Sequence, residues 1–290
     1  MSAPTKTPRL RLDQLLVERG LAETRSRAQA LVLAGHVRVG EGDAARTDRK
    51  PGDLVGSSAM VTLVEREPYV SRGGRKLAAA LDAFGIDPAG RVCLDVGAST
   101  GGFTDVLLQR GAVRVYALDV GRGQLAESLR RDPRVVSMER TNARTIVPTT
   151  LPEPVSLAVV DVSFISLGLV LGPVAAAFGP AGGPIVALVK PQFEAGRPAA
   201  RGGVVRDPAV HLEVLERVAD RAWELGLAVR EVVASPLLGP DGNREFFLHL
   251  EVGAAGPGGG RRVPSPADEG EDQARLDARF RAVVEAGSVR

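Results

Sequence analysis

The chain is poor in cysteine, in histidine and in unbroken apolar runs, and each shortage removes a class of function. Cys93 is the only cysteine among 290 residues. No intrachain disulfide can form, and a reducing cytoplasm is the compartment expected. His36, His211 and His249 are the only histidines and lack metal-ligand spacing, so no metal site is expected. The stretch "MSAPTKTPRLRLD" has no apolar core of the kind a secretory signal needs. Residues 162–189 carry no charge, but Gly168, Gly172, Pro173, Gly179, Pro180, Gly182, Gly183 and Pro184 interrupt them. A spanning helix needs about 20 continuous apolar residues, so this stretch reads as a short helix, a turn and a strand. No membrane span is expected.

Net charge is also small, only +2, with 44% hydrophobic and 25% charged residues, the composition of a globular protein. The distribution is uneven: from Met1 to Gly40 there are seven Lys/Arg against three Asp/Glu. That first segment reads as two amphipathic helices followed by a strand, "HVRVG". Leu12, Leu15 and Leu16 share one helical face, and Ala28, Leu31 and Val32 share another. Thr24 or Ser26 is a candidate cap of the second helix, with Gly35 at its end. "RKPGDLV" then turns into another strand. Residues 1–65 are expected to form a small α+β domain and 66–71 a connector.

From Arg91 onward apolar strands alternate with helices: "VCLDVG", "VRVYALDV", "VVSMERTN", "LAVVDVSF" and "PIVALVKP" read as strands, with "GFTDVLLQRG" and "GQLAESLRRD" as helices between. Such alternation implies a parallel sheet covered on both faces. "LAVREVVASPLL" and "REFFLHLEV", joined by "GPDGN", suit an antiparallel pair. The body is therefore expected over 72–253, followed by a Gly/Pro-rich flexible linker over 254–272 and a short helix over 273–290.

The chemistry centres on "LDVGASTGGFTDVL", residues 94–107. In an open parallel sheet, ligands bind beyond the carboxyl ends of the strands. Gly97, Gly101 and Gly102, with Ala98, Ser99 and Thr100 between them, form a turn along which backbone can approach a ligand closely. The spacing is G-x-x-x-G-G, not the dinucleotide G-x-G-x-x-G, and no P-loop lysine follows. Asp95, just before the turn, would repel a pyrophosphate but attract an amino group. Asp119, ending the next strand, is placed for ribose hydroxyls. An amino-acid-bearing adenosine, S-adenosylmethionine, fits these charges better than a dinucleotide. Each acid alone could equally be structural; their order on consecutive strands favours the cofactor. Asp161, Lys190 and Glu245 also fall at strand ends, and Lys76 lies in the helix-leading "SRGGRKLAAAL". All four can converge on one sheet edge.

With these motifs, together with "RLDQLLVERGLAETRSRAQALVLAGHV", "YVSRGGRKLAAAL", "YALDVGRGQL", "ERTNAR", "DVSFISL", "LVKPQFE" and "GNREFFLHL", nearly the whole chain resembles the TlyA family, the hemolysin-like ribosomal RNA 2′-O-methyltransferases. The resemblance implies a ribosomal-protein-like RNA-binding domain followed by a Rossmann-like, FtsJ-type methyltransferase, using S-adenosylmethionine on ribosomal RNA or subunits, with cytidine favoured. It implies a K-D-K-E tetrad of Lys76, Asp161, Lys190 and Glu245, a cofactor turn over Gly97–Gly102 with Asp119 as the ribose acid, and Asn142 near the adenine. The C-terminal helix resembles that of members acting on both subunits. "EPYV" departs from the Arg and Trp that some members carry in the interdomain tetrapeptide, placing Glu67 and Tyr69 there. The basic excess at the N-terminus assigns Arg9, Arg11, Arg19, Arg25, Arg27 and Arg38 to RNA phosphates. A pore-forming cytolysin and a non-catalytic RNA binder are the alternatives; the first is opposed by the missing signal and span, the second by the intact tetrad.

Overall fold

In a computed structural model of the chain, the described residues are 8–41, 45–64, 67–196, 203–253 and 266–286, with the side chains of 266–273 excepted. The chain divides into two compact units, Met1–Glu67 and Pro68–Arg290.

In the first unit, strand β1 (Arg9–Arg11) leads directly into helix α1 (Leu12–Glu18), followed by α2 (Arg25–Leu33) and strands β2 (Val37–Val39), β3 (Leu54–Gly56) and β4 (Val61–Leu63). β1 pairs with β3 and β2 with β4, both antiparallel. Leu12, Leu15 and Leu16 from α1, with Ala28 and Val32 from α2, form the core against Val37, Val39, Val55 and Val61. Leu31 packs against this core while only partly buried. Thr24 is the N-cap of α2, its hydroxyl accepting from the Arg27 amide at 3.2 Å. β1 and β4 carry no clear alternation and were not expected; each is three residues long and becomes a strand only by pairing.

The second unit opens with α3 (Gly73–Phe84), then β5 (Val92–Val96), α4 (Gly102–Gln109), β6 (Arg114–Leu118), α5 (Glu127–Arg130), β7 (Val135–Met138), β8 (Leu157–Val160), α6 (Leu171–Ala176), β9 (Gly183–Val189), α7 (Pro191–Glu194), α8 (Pro208–Glu224), β10 (Leu227–Ala234), β11 (Phe246–Val252) and α9 (Pro266–Glu285). The seven strands form one sheet in the order β10-β11-β9-β8-β5-β6-β7. Pairs from β9 through β7 are parallel, whereas β11 runs antiparallel between β9 and β10. Because strand side chains alternate faces, Cys93, Val115 and Leu157 enter one core with α3 and α4. Their neighbours Leu94, Tyr116 and Ala158 enter another with α6, α8 and α9.

Two expected helical boundaries differ. The "GQLAESLRRD" segment is helical only over Glu127–Arg130. Its start is held in turns, Asp119 accepting from the Gly121 amide and Glu139 from the Gly123 amide. The final helix begins at Pro266, within the segment expected to be linker; proline is favoured at a first helical position because its missing N–H has no intrahelical partner to lose. The rest of that linker, 254–265, lies outside the described residues, as do 287–290 of the final helix. Leu276, Phe280 and Val284 dock α9 into the sheet's core. Among the described residues no helix is long and apolar enough to cross a membrane.

Candidate active site

β5 lies inside the sheet, with β6 on one side and β8 on the other, so the turn after it opens where the strand order reverses. Gly97 has φ +86°, and a Cβ there would strike the backbone carbonyl of Asp161. A Cβ on Gly102 would strike Ser71 Oγ and the Gly74 amide. These glycines let the turn press against the end of β8 and the start of α3, and an open cavity of about 290 Å³ forms there. Gly97, Ala98, Ser99, Thr100 and Gly102 line it, as do Lys76, Asp161, Lys190 and Glu245; Gly101 does not.

Four charged residues thus meet as two pairs. Lys76 Nζ lies 2.5 Å from Glu245 Oε2, both buried. Lys190 Nζ lies 2.6 Å from Asp161 Oδ1 and donates to Ser163 Oγ at 2.9 Å. The register explains the meeting. Phe246 stands opposite Val189, so the antiparallel β11 starts at the edge where the parallel β9 ends, and Glu245 and Lys190 flank that step.

Asp95 is fully buried and does not line the cavity. Its Oδ2 accepts from Thr104 Oγ1 at 2.7 Å, while Oδ1 has no partner. Burial pushes its pKa up to about 7, opposed by the Thr104 hydrogen bond and reinforced by the charge of Asp161. The carboxyl therefore stands beneath the turn, fixing α4 to β5, rather than facing a ligand. Asp119 takes the Ser99 amide at 2.8 Å on one oxygen and the Gly121 amide at 2.7 Å on the other. Lone pairs remain on each for a further donor. Asn142 caps a short 3₁₀ turn, its side-chain oxygen accepting from the Arg144 amide at 3.0 Å. Neither Asp119 nor Asn142 lines the cavity itself.

Sequence reasoning missed several cavity residues and one exposed aromatic. Arg72 and Phe103 line the cavity. Phe164, two residues past Val162, is 89% exposed in a left-handed conformation of φ +64° and packs on Phe193 with centroids 4.8 Å apart. An exposed aromatic in a strained backbone is a signal only the folded chain gives.

In the first unit the arginines are not equivalent. Arg11 and Arg25 converge on Asp13, which is fully buried and also accepts from Gln29. The Arg11 hydrogen bonds hold its carboxyl well below the usual carboxylate range, with Gln29 and Arg25 adding to the effect against burial. Arg9 donates to the Leu54 carbonyl, and Arg19 to the carbonyls of Ala59 and Ser57. Arg27 and Arg38 are exposed. Arg9, Arg11, Arg19 and Arg25, all candidate phosphate contacts, thus also hold the unit together.

A family model for FtsJ-like methyltransferases matches residues 69–252, and one for S4 domains matches residues 10–41. A 16S/23S rRNA (cytidine-2′-O)-methyltransferase TlyA of Mycobacterium tuberculosis is 51% identical, over 84% of this chain and 90% of that one. The chain belongs to the TlyA family of FtsJ-like methyltransferases. A 23S rRNA (cytidine-2′-O)-methyltransferase TlyA of Campylobacter jejuni is 35% identical, over 70% of this chain and 78% of its own. A solved structure described as a hemolysin, from Streptococcus thermophilus, superposes with a TM-score of 0.67 at 41% identity, covering 98% of this chain and all of that one. A TlyA-family methyltransferase draws its methyl group from S-adenosylmethionine. The residues present fit that group: main chain of the turn lines an open cavity, Asp119 keeps acceptor capacity at the next strand end, and no lysine stands in the turn to hold a pyrophosphate.

Proposed function

We propose that the chain methylates the ribose 2′-hydroxyl of a cytidine in ribosomal RNA, acting on ribosomal subunits in the cytoplasm. The observation that carries this reading is the meeting of two lysine–carboxylate pairs beside a glycine turn, at the rim of one cavity. Gly97–Gly102 and Asp119 would hold S-adenosylmethionine, with Asn142 nearer its adenine and Asp95 bracing the turn from below. When bound, that cofactor supplies an electrophilic methyl on a positively charged sulfur.

A ribose hydroxyl is a weak acid and a weak nucleophile, so the protein must position it and receive its proton. Lys190 does both: its amine is the base, and Asp161 orients it. Lys76 and Glu245, as a buried pair, fix the ribose and set the local charge. Phe164 offers a π-face on which an unstacked base can rest. The four groups sit on different elements of one rigid sheet edge, which limits the reorganisation needed at the moment of reaction. Arg9, Arg11, Arg19, Arg25, Arg27 and Arg38 of the N-terminal unit recruit RNA through its phosphates.

Mass spectrometry of ribosomal RNA from cells with and without the protein tests this function. A 2′-O-methylcytidine present only with the active protein is expected. Lys190→Ala should abolish methylation while leaving S-adenosylmethionine affinity within about twofold, because its role is confined to the reacting centre. Near-normal turnover by that variant would remove Lys190 from the chemistry.

A further inference from the structure

The loop after β8 carries a hydroxyl that the tetrad does not include. Ser163 Oγ accepts a hydrogen bond from Lys190 Nζ at 2.9 Å, while Asp161 Oδ1 lies 2.6 Å from the same nitrogen. A neutral lysine amine has two N–H bonds and one lone pair, arranged about a tetrahedral nitrogen. Ser163 Oγ takes one N–H bond with hydrogen-bond geometry, whereas Asp161 Oδ1 meets the nitrogen as an ion pair and accepts no hydrogen bond. Fixing that one N–H bond sets the rotation about Cε–Nζ and the corners left to the lone pair. Lys76 has a different environment, since its hydrogen bond goes to Glu245.

The loop is braced so that this hydroxyl stays in place. Glu194, at the end of the helix that follows Lys190, accepts from Ser166 Oγ at 2.8 Å and from the Leu167 amide at 2.7 Å. Phe193 of the same helix packs on Phe164. The segment holding Ser163 and the segment holding Lys190 are therefore fastened to each other just beyond the contact.

We propose that Ser163 is a positioning residue that aims the Lys190 amine at the ribose hydroxyl. With Asp161 alone, the amine could rotate about its Cε–Nζ bond, and its lone pair would sample directions away from the substrate. With the Ser163 hydrogen bond one rotamer is selected. The ribose hydroxyl's proton passes to Nζ, which leaves the step as an ammonium, while the ribose oxygen bonds the methyl as the methyl–sulfur bond breaks and its electron pair stays on sulfur. Sharing the cavity with Lys190 are Asp161 from the end of β8, Lys76 and Arg72 from the α3 region, and Glu245 from the start of β11. Ser163 is uncharged and accepts the Lys190 hydrogen bond, whereas Asp161 contributes its charge. This inference rests on Lys190 acting at the ribose hydroxyl.

The chain has only four lysines, Lys6, Lys50, Lys76 and Lys190, so the side-chain signal of Lys190 can be read directly. NMR of the full-length, cofactor-free protein labelled with ¹³C and ¹⁵N at lysine side chains would be recorded against pH for the native chain, Ser163→Ala and Ser163→Thr. Loss of the acceptor should shift the Lys190 Nζ resonance in Ser163→Ala. Threonine, which keeps the hydroxyl, should restore it. In methylation assays Ser163→Ala should lower kcat about tenfold with KM for RNA within about twofold. An unmoved Lys190 Nζ resonance, an unchanged kcat, or a loss confined to KM would each overturn the assignment. Lys190→Ala separates the two levels. Should that variant stay active, the reading of Lys190 fails; should it be inactive while Ser163→Ala behaves as native, the role of Ser163 alone fails.

Discussion

Replacing Asp95 by Asn should change stability in a way that reverses with pH. Asp95 is fully buried in β5, its side-chain hydrogen bond comes from Thr104 Oγ1, and its second oxygen has no partner. Its pKa stands at about 7 against an ordinary 3.8, chiefly because burial disfavours the charge. The folded state therefore holds a proton that the unfolded state has released between about pH 4 and pH 7. Stability from this group is fully present below the unfolded value and is lost as pH rises through about 7. A difference of about three units is worth about 4 kcal/mol, taken as an upper bound. Asn cannot ionise, but its amide N–H groups would face a site with no acceptor for them, a cost of about 1–3 kcal/mol. The variant should thus be less stable than the native chain at pH 4.5 and level with it or more stable at pH 8. Calorimetry of the cofactor-free protein across that range measures this, with the difference in Tm between variant and native shifting by about 2–4 °C per kcal/mol for a unit of this size. A Tm difference that stays constant with pH would refute the buried-charge account of Asp95 and leave it a simple turn anchor.

Asp119→Ala removes a carboxylate that organises two backbone amides and keeps capacity for ribose hydroxyls, so S-adenosylmethionine binding measured by calorimetry should weaken by about 1–3 kcal/mol; unchanged affinity would exclude it from the cofactor site. Asp13→Ala leaves Arg11 and Arg25 without their shared partner and should destabilise the N-terminal unit by roughly 2–4 kcal/mol, below the full cost of a broken buried pair because both guanidiniums reach water. The native contribution of Asp13 should be present above about pH 4 and lost as pH falls through its depressed value, which acid unfolding followed by circular dichroism checks. A chain starting at Pro68 contains both cores of the sheet and should fold and bind S-adenosylmethionine. It should lose ribosomal RNA methylation, and filter binding should show a shallower salt dependence than that of the full chain; methylation at the full-length rate would deny the N-terminal unit its recruiting role.

What the sequence determines by itself is local and periodic. Alternating apolar strands and helices from Arg91 onward specify a parallel sheet, and the G-x-x-x-G-G turn after "LDV" specifies a ligand site at its centre. "GPDGN" between two apolar runs specifies the antiparallel pair β10–β11, since turn chemistry and period-two patterning act over a few residues. Leu12, Leu15 and Leu16 mark a buried face through their helical spacing alone. What only the tertiary structure decides depends on residues far apart in the chain. The three-residue strands β1 and β4 have too little pattern of their own and exist through their partners. The pairing of Lys76 with Glu245, 169 positions away, needs both α3 packed on the sheet and the register that sets Phe246 opposite Val189, neither of which a local pattern encodes. Asp95 looks in sequence like an acid offered to a ligand, yet strand alternation and the helix packed over it bury it against Thr104. Arg11 and Arg25 look like free positive charge, yet Asp13, an acid within an amphipathic helix, draws both inward. Charge type is legible from composition, but whether a charge faces solvent, a ligand or a buried partner is set by packing around it, because burial and neighbouring charges fix its energy.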